Sequence, residues 1–159
     1  MTVIALTQEM GSLARDVAER VAGDLGLALM RHEVVDHVST RMHVPTSLIN
    51  RLREGQAGAL ERLRADRTSL AVYMTEEVLD VAARGNVVLR GWGATMLLRG
   101  VPHVVRVRVT RPFEQRVAWL MEHLGTDDRA AAEEEVARSD RAHAARMHAQ
   151  FGVTWGDPL

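Results

Sequence analysis

At 159 residues with a net charge of −1, the chain is long enough for one domain with its own core and lacks the overall basic field that nucleic-acid binding needs. It contains no cysteine, which excludes disulfides, thiol catalysis and zinc–thiolate sites. All 20 basic residues are arginine, so chemistry that requires a catalytic lysine is excluded unless arginine or a partner supplies the charge; arginine is a planar fork, not a point-charge equivalent.

In chain order, residues 3–7 read as a short buried strand and 8–11 as a turn. Ser12 is placed to cap a helix running to about Leu25, with Leu13, Val17, Val21 and Leu25 recurring every four residues as its apolar stripe. Gly26 is its C′ residue. Residues 31–42 look helical, a short helix follows near 48–53, and 54–59, with Gly55 and Gly58, reads as a loop. Leu70, Met74, Val78, Leu79 and Val81 give a helical spacing over 68–83 that Gly85-Asn86 stops. Val87-Val88-Leu89 is a second buried strand. It runs into the turn Arg90-Gly91-Trp92-Gly93-Ala94 and a short helix over 95–99. Residues 104–109 form a third strand, in which valine alternates with Arg106 and Arg108. The segment 112–124 is a helix with Val117, Leu120, Met121 and Leu124 on one face, closed by Gly125. A long, alanine-rich polar helix spans 127–150; its few apolar positions predict a largely solvated, movable element. Trp119 is expected in the core, Trp92 and Trp155 near a site. The longest apolar run, 101–109, is broken by histidine and arginine and falls short of a membrane span. The start of the chain lacks a basic n-region and a cleavage-type site, so the expectation is a cytoplasmic protein.

Strands separated by helices predict an α/β fold, a parallel sheet with helices on both faces. Ligands of such sheets bind at the carboxyl ends of the strands, and two turns fall there: 8–12 and 90–94. In the first, Gly11 and Ser12 precede a helix N-terminus, where backbone N–H groups attract phosphate. The same residues also fit an ordinary turn capped by Ser12. In the second, Arg90 at a strand end followed by two glycines suits a substrate phosphate or base; pairing with a carboxylate is the alternative. On the long helix, Arg138, Arg141 and Arg146 are candidates to close over a transferred phosphoryl group, or else belong to a solvated face like Glu133-Glu134-Glu135. The seven histidines show no i, i+4 pair, so no helical metal site is expected.

These pieces, in this order, resemble the cytidylate-kinase-like family of P-loop nucleoside-monophosphate kinases. The resemblance rests on residues 3–22, Arg31-His32-Glu33, the run 87–94, and Asp140-Arg141 followed by Phe151-Gly152-Val153-Thr154-Trp155-Gly156-Asp157-Pro158. It implies a three-layer P-loop fold in one domain, with a monophosphate-binding region over 31–67 and a helical lid over 126–150. It also implies phosphoryl transfer from ATP, with Mg²⁺, to CMP, dCMP or a related acceptor. Gly11, Ser12, Arg15 and Asp16 would then bind ATP phosphates, Arg31, Arg41 and Arg90 the monophosphate, and Arg15, Arg138 and Arg141 would act on the transferred charge. Partners would be small nucleotides rather than nucleic acid or membrane, with the oligomeric state, a dimer included, open. The sequence departs from the family where Leu13 and Ala14 replace usual glycines, where Arg15 fills the basic position, and where Asp16 replaces a hydroxyl. Two readings therefore stand: a kinase, and a nucleotide- or phosphate-binding module without chemistry. Family members continue with another strand and helix, so the sheet is expected to have an open edge.

Overall fold

The computed structural model describes residues 1–30, 33–54, 67–91 and 93–157. Val3–Gln8 (β1) is flanked on both sides by parallel strands and covered on both faces, which is why its first four residues are all apolar. Val87–Arg90 (β3) pairs on one side and Val104–Val109 (β4) on the other, while Ala28–Met30 (β2) lies outside β3, giving the order β2-β3-β1-β4. The strand β2 escaped the sequence reading because three residues between Gly26 and the next helix offer too short a pattern.

Alternate side chains of the strands enter two cores. Val3, Ala5, Val87 and Leu89 pack with Val78, Val81 and Ala82 of the helix Arg67–Arg84, and with Ala94 and Leu98 at the short helix Ala94–Leu97. Ile4, Leu6 and Val88 pack with Ala14, Ala18 and Ala22 of the helix Ala14–Leu25 (α1). The expected stripe of α1 is thereby corrected at three of its four positions: Leu13, Val17 and Leu25 are exposed, Val21 packs partly buried against the cluster, and the buried face is alanine. Small side chains let the helix axis approach the pleated surface, and the larger residues are turned aside.

The helices Glu33–Met42 (α2), Thr46–Glu54 (α3) and Arg67–Arg84 (α4) share a satellite cluster of Val35, Val38, Ile49 and Leu70. Numbering Ala94–Leu97 as α5, Phe113–Leu124 (α6) and Arg129–Phe151 (α7) pack together through Val117, Leu120, Ala132 and Val136, and Met10 of the first turn joins them. The long polar helix is thus docked through a thin apolar seam rather than free of the body. Its start is capped by Asp128, whose side chain accepts from the Ala131 amide at 2.9 Å. Of the expected loop over 54–59, Glu54 instead ends α3 and the rest, like Trp92, lies outside the described residues.

Candidate functional site

Both expected turns fall at the carboxyl edge of the sheet, after β1 and β3. The side chains that end these strands meet, with Arg90 Nη1 donating to Gln8 Oε1 at 2.9 Å. The turn after β1 is tied to β4 by the Glu9 amide, which donates to the Val109 carbonyl at 3.4 Å. Ser12 does not cap α1. Its amide and hydroxyl both donate to the Glu9 carbonyl, at 3.3 and 2.8 Å, so it closes the turn from within and is 5% exposed. The cap position falls to Leu13, at φ 60° and ψ 21°, a left-handed conformation with no side-chain acceptor for the first-turn amides. Gly11 is also left-handed, at φ 74°, and a Cβ there would lie 3.1 Å from the backbone of Arg116. Glycine is required both for the turn and for the close seat on α6.

Arg116 is the residue on which this arrangement converges. Its side chain is 6% exposed. It donates from Nη1 and Nη2 to the two carboxylate oxygens of Asp140 on α7, at 2.9 and 2.7 Å. Nη1 also reaches the Met10 carbonyl at 3.4 Å, and Nε stands 3.6 Å from Glu9 Oε2. The hydrogen bonds it donates to Asp140 hold the guanidinium above the ordinary arginine range, against the opposing effect of burial. One side chain therefore binds the turn after β1, its own helix α6 and the long helix α7.

The other sequence-derived candidates are spread more widely. Arg15 extends from the first turn of α1 to Glu19 at 2.9 Å, with its side chain 68% exposed. Asp16 is exposed beside it, at the positive end of the helix. Arg138 and Arg141 are exposed and bind Glu135 and Glu134, so they stand on the outer face of α7 while Asp140 between them points inward. Arg41 donates to Glu76 at 2.6 Å and lies over the Tyr73 ring, 4.5 Å from its centroid, bracing α2 on α4. Arg31 lies outside the described residues. The structure thus joins Gly11, Ser12 and Arg90 with Gln8, Glu9, Arg116 and Asp140 at one edge, and leaves Arg15, Arg138 and Arg141 on solvated helix faces.

The decisive comparison follows this geometry: the sequence profile of the cytidylate kinase-like family matches residues 3–159. The chain belongs to the cytidylate kinase-like family. No curated protein matches it. Among solved structures it is similar to an uncharacterized protein from Eubacterium ventriosum ATCC 27560, with TM-score 0.71 and 18% identity over 99% of this chain and 82% of that one. It is also similar to a gluconokinase from Sinorhizobium meliloti 1021, with TM-score 0.53 and 14% identity over 87% and 74% of the two chains. These likenesses concern the fold alone.

The residues of this family member suit ATP and Mg²⁺ in kind. The uncapped first-turn amides of α1 are donors of the sort that hold phosphate oxygens. Mg²⁺ needs hard oxygen ligands and keeps several waters, and Glu9 and Asp16 are the carboxylates flanking the turn. No cluster of three or more histidine or acidic ligands is present among the described residues. Arg116 was not singled out from sequence, although a signal was available. It sits beside Val117 and Leu120 on the buried face of α6, where a lone arginine demands a buried acidic partner. Asp140 holds the matching place on the stripe Ala132, Val136, Met147 of α7.

Proposed function

We propose that the protein is a nucleoside-monophosphate kinase that transfers the terminal phosphoryl group of ATP, with Mg²⁺, to CMP, dCMP or a related acceptor. The observation that carries the reading is the left-handed turn after β1, with its uncapped helix N-terminus, clamped to α7 through Arg116 and Asp140. Such a turn offers backbone donors to the ATP phosphates, and the clamp brings the long helix over them as a lid spanning 126–150. Gly11, Ser12 and Asp16 serve the ATP side. Arg90 with Gln8, and Arg41 and Arg31 from the 31–67 region, serve the acceptor. Arg15, Arg138 and Arg141 would act on transferred charge only after leaving their glutamate partners. Arg116 is the cation already seated at the turn.

The second reading, binding of nucleotide without transfer, is favoured by one observation: Leu13 occupies a left-handed position that a glycine would fill without strain. Thermal unfolding with ATP–Mg²⁺ and with CMP, followed by a coupled assay for ADP, separates the two. Raised midpoints with ADP formation dependent on CMP support the kinase. Raised midpoints without ADP formation leave the binding module. No shift at nucleotide concentrations on the order of millimolar rejects both.

A further inference from the structure

Where β4 ends beneath α7, positive charge exceeds what surrounds it. Arg108 carries the Trp155 ring over its guanidinium, 4.5 Å from Cζ to the ring centroid. The other edge of that neighbourhood is His143 on α7, which meets Trp155 edge-on with centroids 4.0 Å apart. His143 follows Asp140 by one turn on the inward face of the helix. The charged groups facing its imidazole are Arg146 and Asp140 from its own helix and Arg108 from β4. Asp140 is the single carboxylate among them, and Arg116 already holds both of its oxygens. Neither Arg108 nor Arg146 has a carboxylate partner among the described residues.

The hydrogen-bond inventory points the same way. Arg108 Nε and His143 Nε2 are both buried and have no hydrogen-bond partner among the described residues. Buried polar atoms are paired almost without exception in folded proteins, and those that are not mark a missing ion, water or ligand. Both unmatched atoms lie against the same tryptophan. Guanidinium forks complement the oxygens of a tetrahedral oxyanion, an imidazole N–H adds a directional donor, and the indole wall keeps water from competing.

We propose that Arg108, His143 and Arg146 form a binding site for a phosphate-type oxyanion at the junction of β4, α7 and the segment bearing Trp155. The inference does not depend on phosphoryl transfer or on the turn at Gly11. The anion has two possible sources, a phosphoryl group of a bound nucleotide or free inorganic phosphate or pyrophosphate. Burial and the two arginines hold the His143 imidazole below its ordinary range, so a bound anion would raise it and give the site its own spectroscopic signature.

The experiment records histidine-ring NMR spectra of the full chain while inorganic pyrophosphate, CMP or ATP–Mg²⁺ is titrated in. It is repeated with Arg108→Gln, and pyrophosphate binding by the parent, Arg108→Gln and His143→Gln is also measured by isothermal titration calorimetry, since His143→Gln lacks the reporting ring; each variant is first shown to melt cooperatively without ligand. Pyrophosphate is expected to move the His143 resonances saturably, and Arg108→Gln to weaken that binding by roughly tenfold or more, the loss expected for a charge-assisted pair. A response to pyrophosphate alone identifies a free anion as sufficient. A response confined to the nucleotides identifies their phosphoryl group. Should His143 stay still with all three, or both variants bind pyrophosphate as tightly as the parent, the site is overturned. Because Arg108 also supports Trp155, the His143→Gln variant carries the test if Arg108→Gln fails to fold. Loss of all nucleotide binding with the pyrophosphate response intact would reject the kinase reading and leave this site standing.

Discussion

At the scale of single residues, the most informative position is Leu13. A leucine in the left-handed region costs on the order of 1–2 kcal/mol relative to its preferred backbone, and nothing local compensates, since its side chain accepts no hydrogen bond and is 39% exposed. Leu13→Gly should therefore raise stability by about 0.5–1 kcal/mol, the strain relieved less the extra freedom that glycine brings to the unfolded chain. Thermal unfolding of the variant beside the parent checks this, and a midpoint that is unchanged or lower would show that the turn is relaxed as it stands. Ala14, the other departure from the family's glycines, needs no such explanation. It is helical, 3% exposed, and packed under the sheet with Ala18 and Ala22.

At the scale of elements, the sheet and most helices were legible because their patterns are decided locally. Val87-Val88-Leu89 between a stop signal and a glycine turn has few readings other than a buried strand. The misjudged elements are those in which packing distance, not hydrophobicity, decides. In α1 the sheet accepts the alanine face and leaves Leu13, Val17 and Leu25 turned outward. In α6 and α7 the site depends on charged residues lying on stripes that otherwise read as apolar, so a spacing argument confined to hydrophobes passes over Arg116. For α7 the inward stripe also carries a pH dependence. His143 has a folded-state pKa below its unfolded value, lowered by burial first and then by Arg146 and Arg108. Above about pH 6.5, the usual histidine value, both states are neutral and the full stability is present. As the pH falls below that, the unfolded chain takes up the proton first, so stability drops until the folded-state pKa is passed. The parent should lose stability relative to His143→Gln between about pH 7 and pH 5 in urea titrations. Parallel curves for the two proteins would refute this account of α7.

At the scale of the whole molecule, three parts of the chain remote in sequence are fastened together at one edge of the sheet. Phe151, at the end of α7, lies over Gly93, where a Cβ would approach its ring to 2.6 Å. Trp155 rests on Arg108, and Asp140 on Arg116, so α7 is held to the turns after β1 and β3 and to β4. This convergence was only partly readable from sequence. The order of motifs identified the family and the edge, but which arginines face inward depends on how two helices are rotated about their axes. That rotation leaves Arg138 and Arg141 in solvent, seats Arg116 on Asp140 and turns His143 toward Trp155 and Arg108.

The central position of β1 has a further consequence. Its amides and carbonyls are laddered to β3 over Val3–Leu6 and to β4 over Val3–Gln8. The strand can therefore open only when the sheet itself comes apart, which places it among the segments with the highest opening free energy. The turn at Gly11 grows directly from that strand. Under the proposed kinase reading its shape is preorganised: the backbone donors would be in place before a phosphate arrived, and no binding energy would be spent on ordering them.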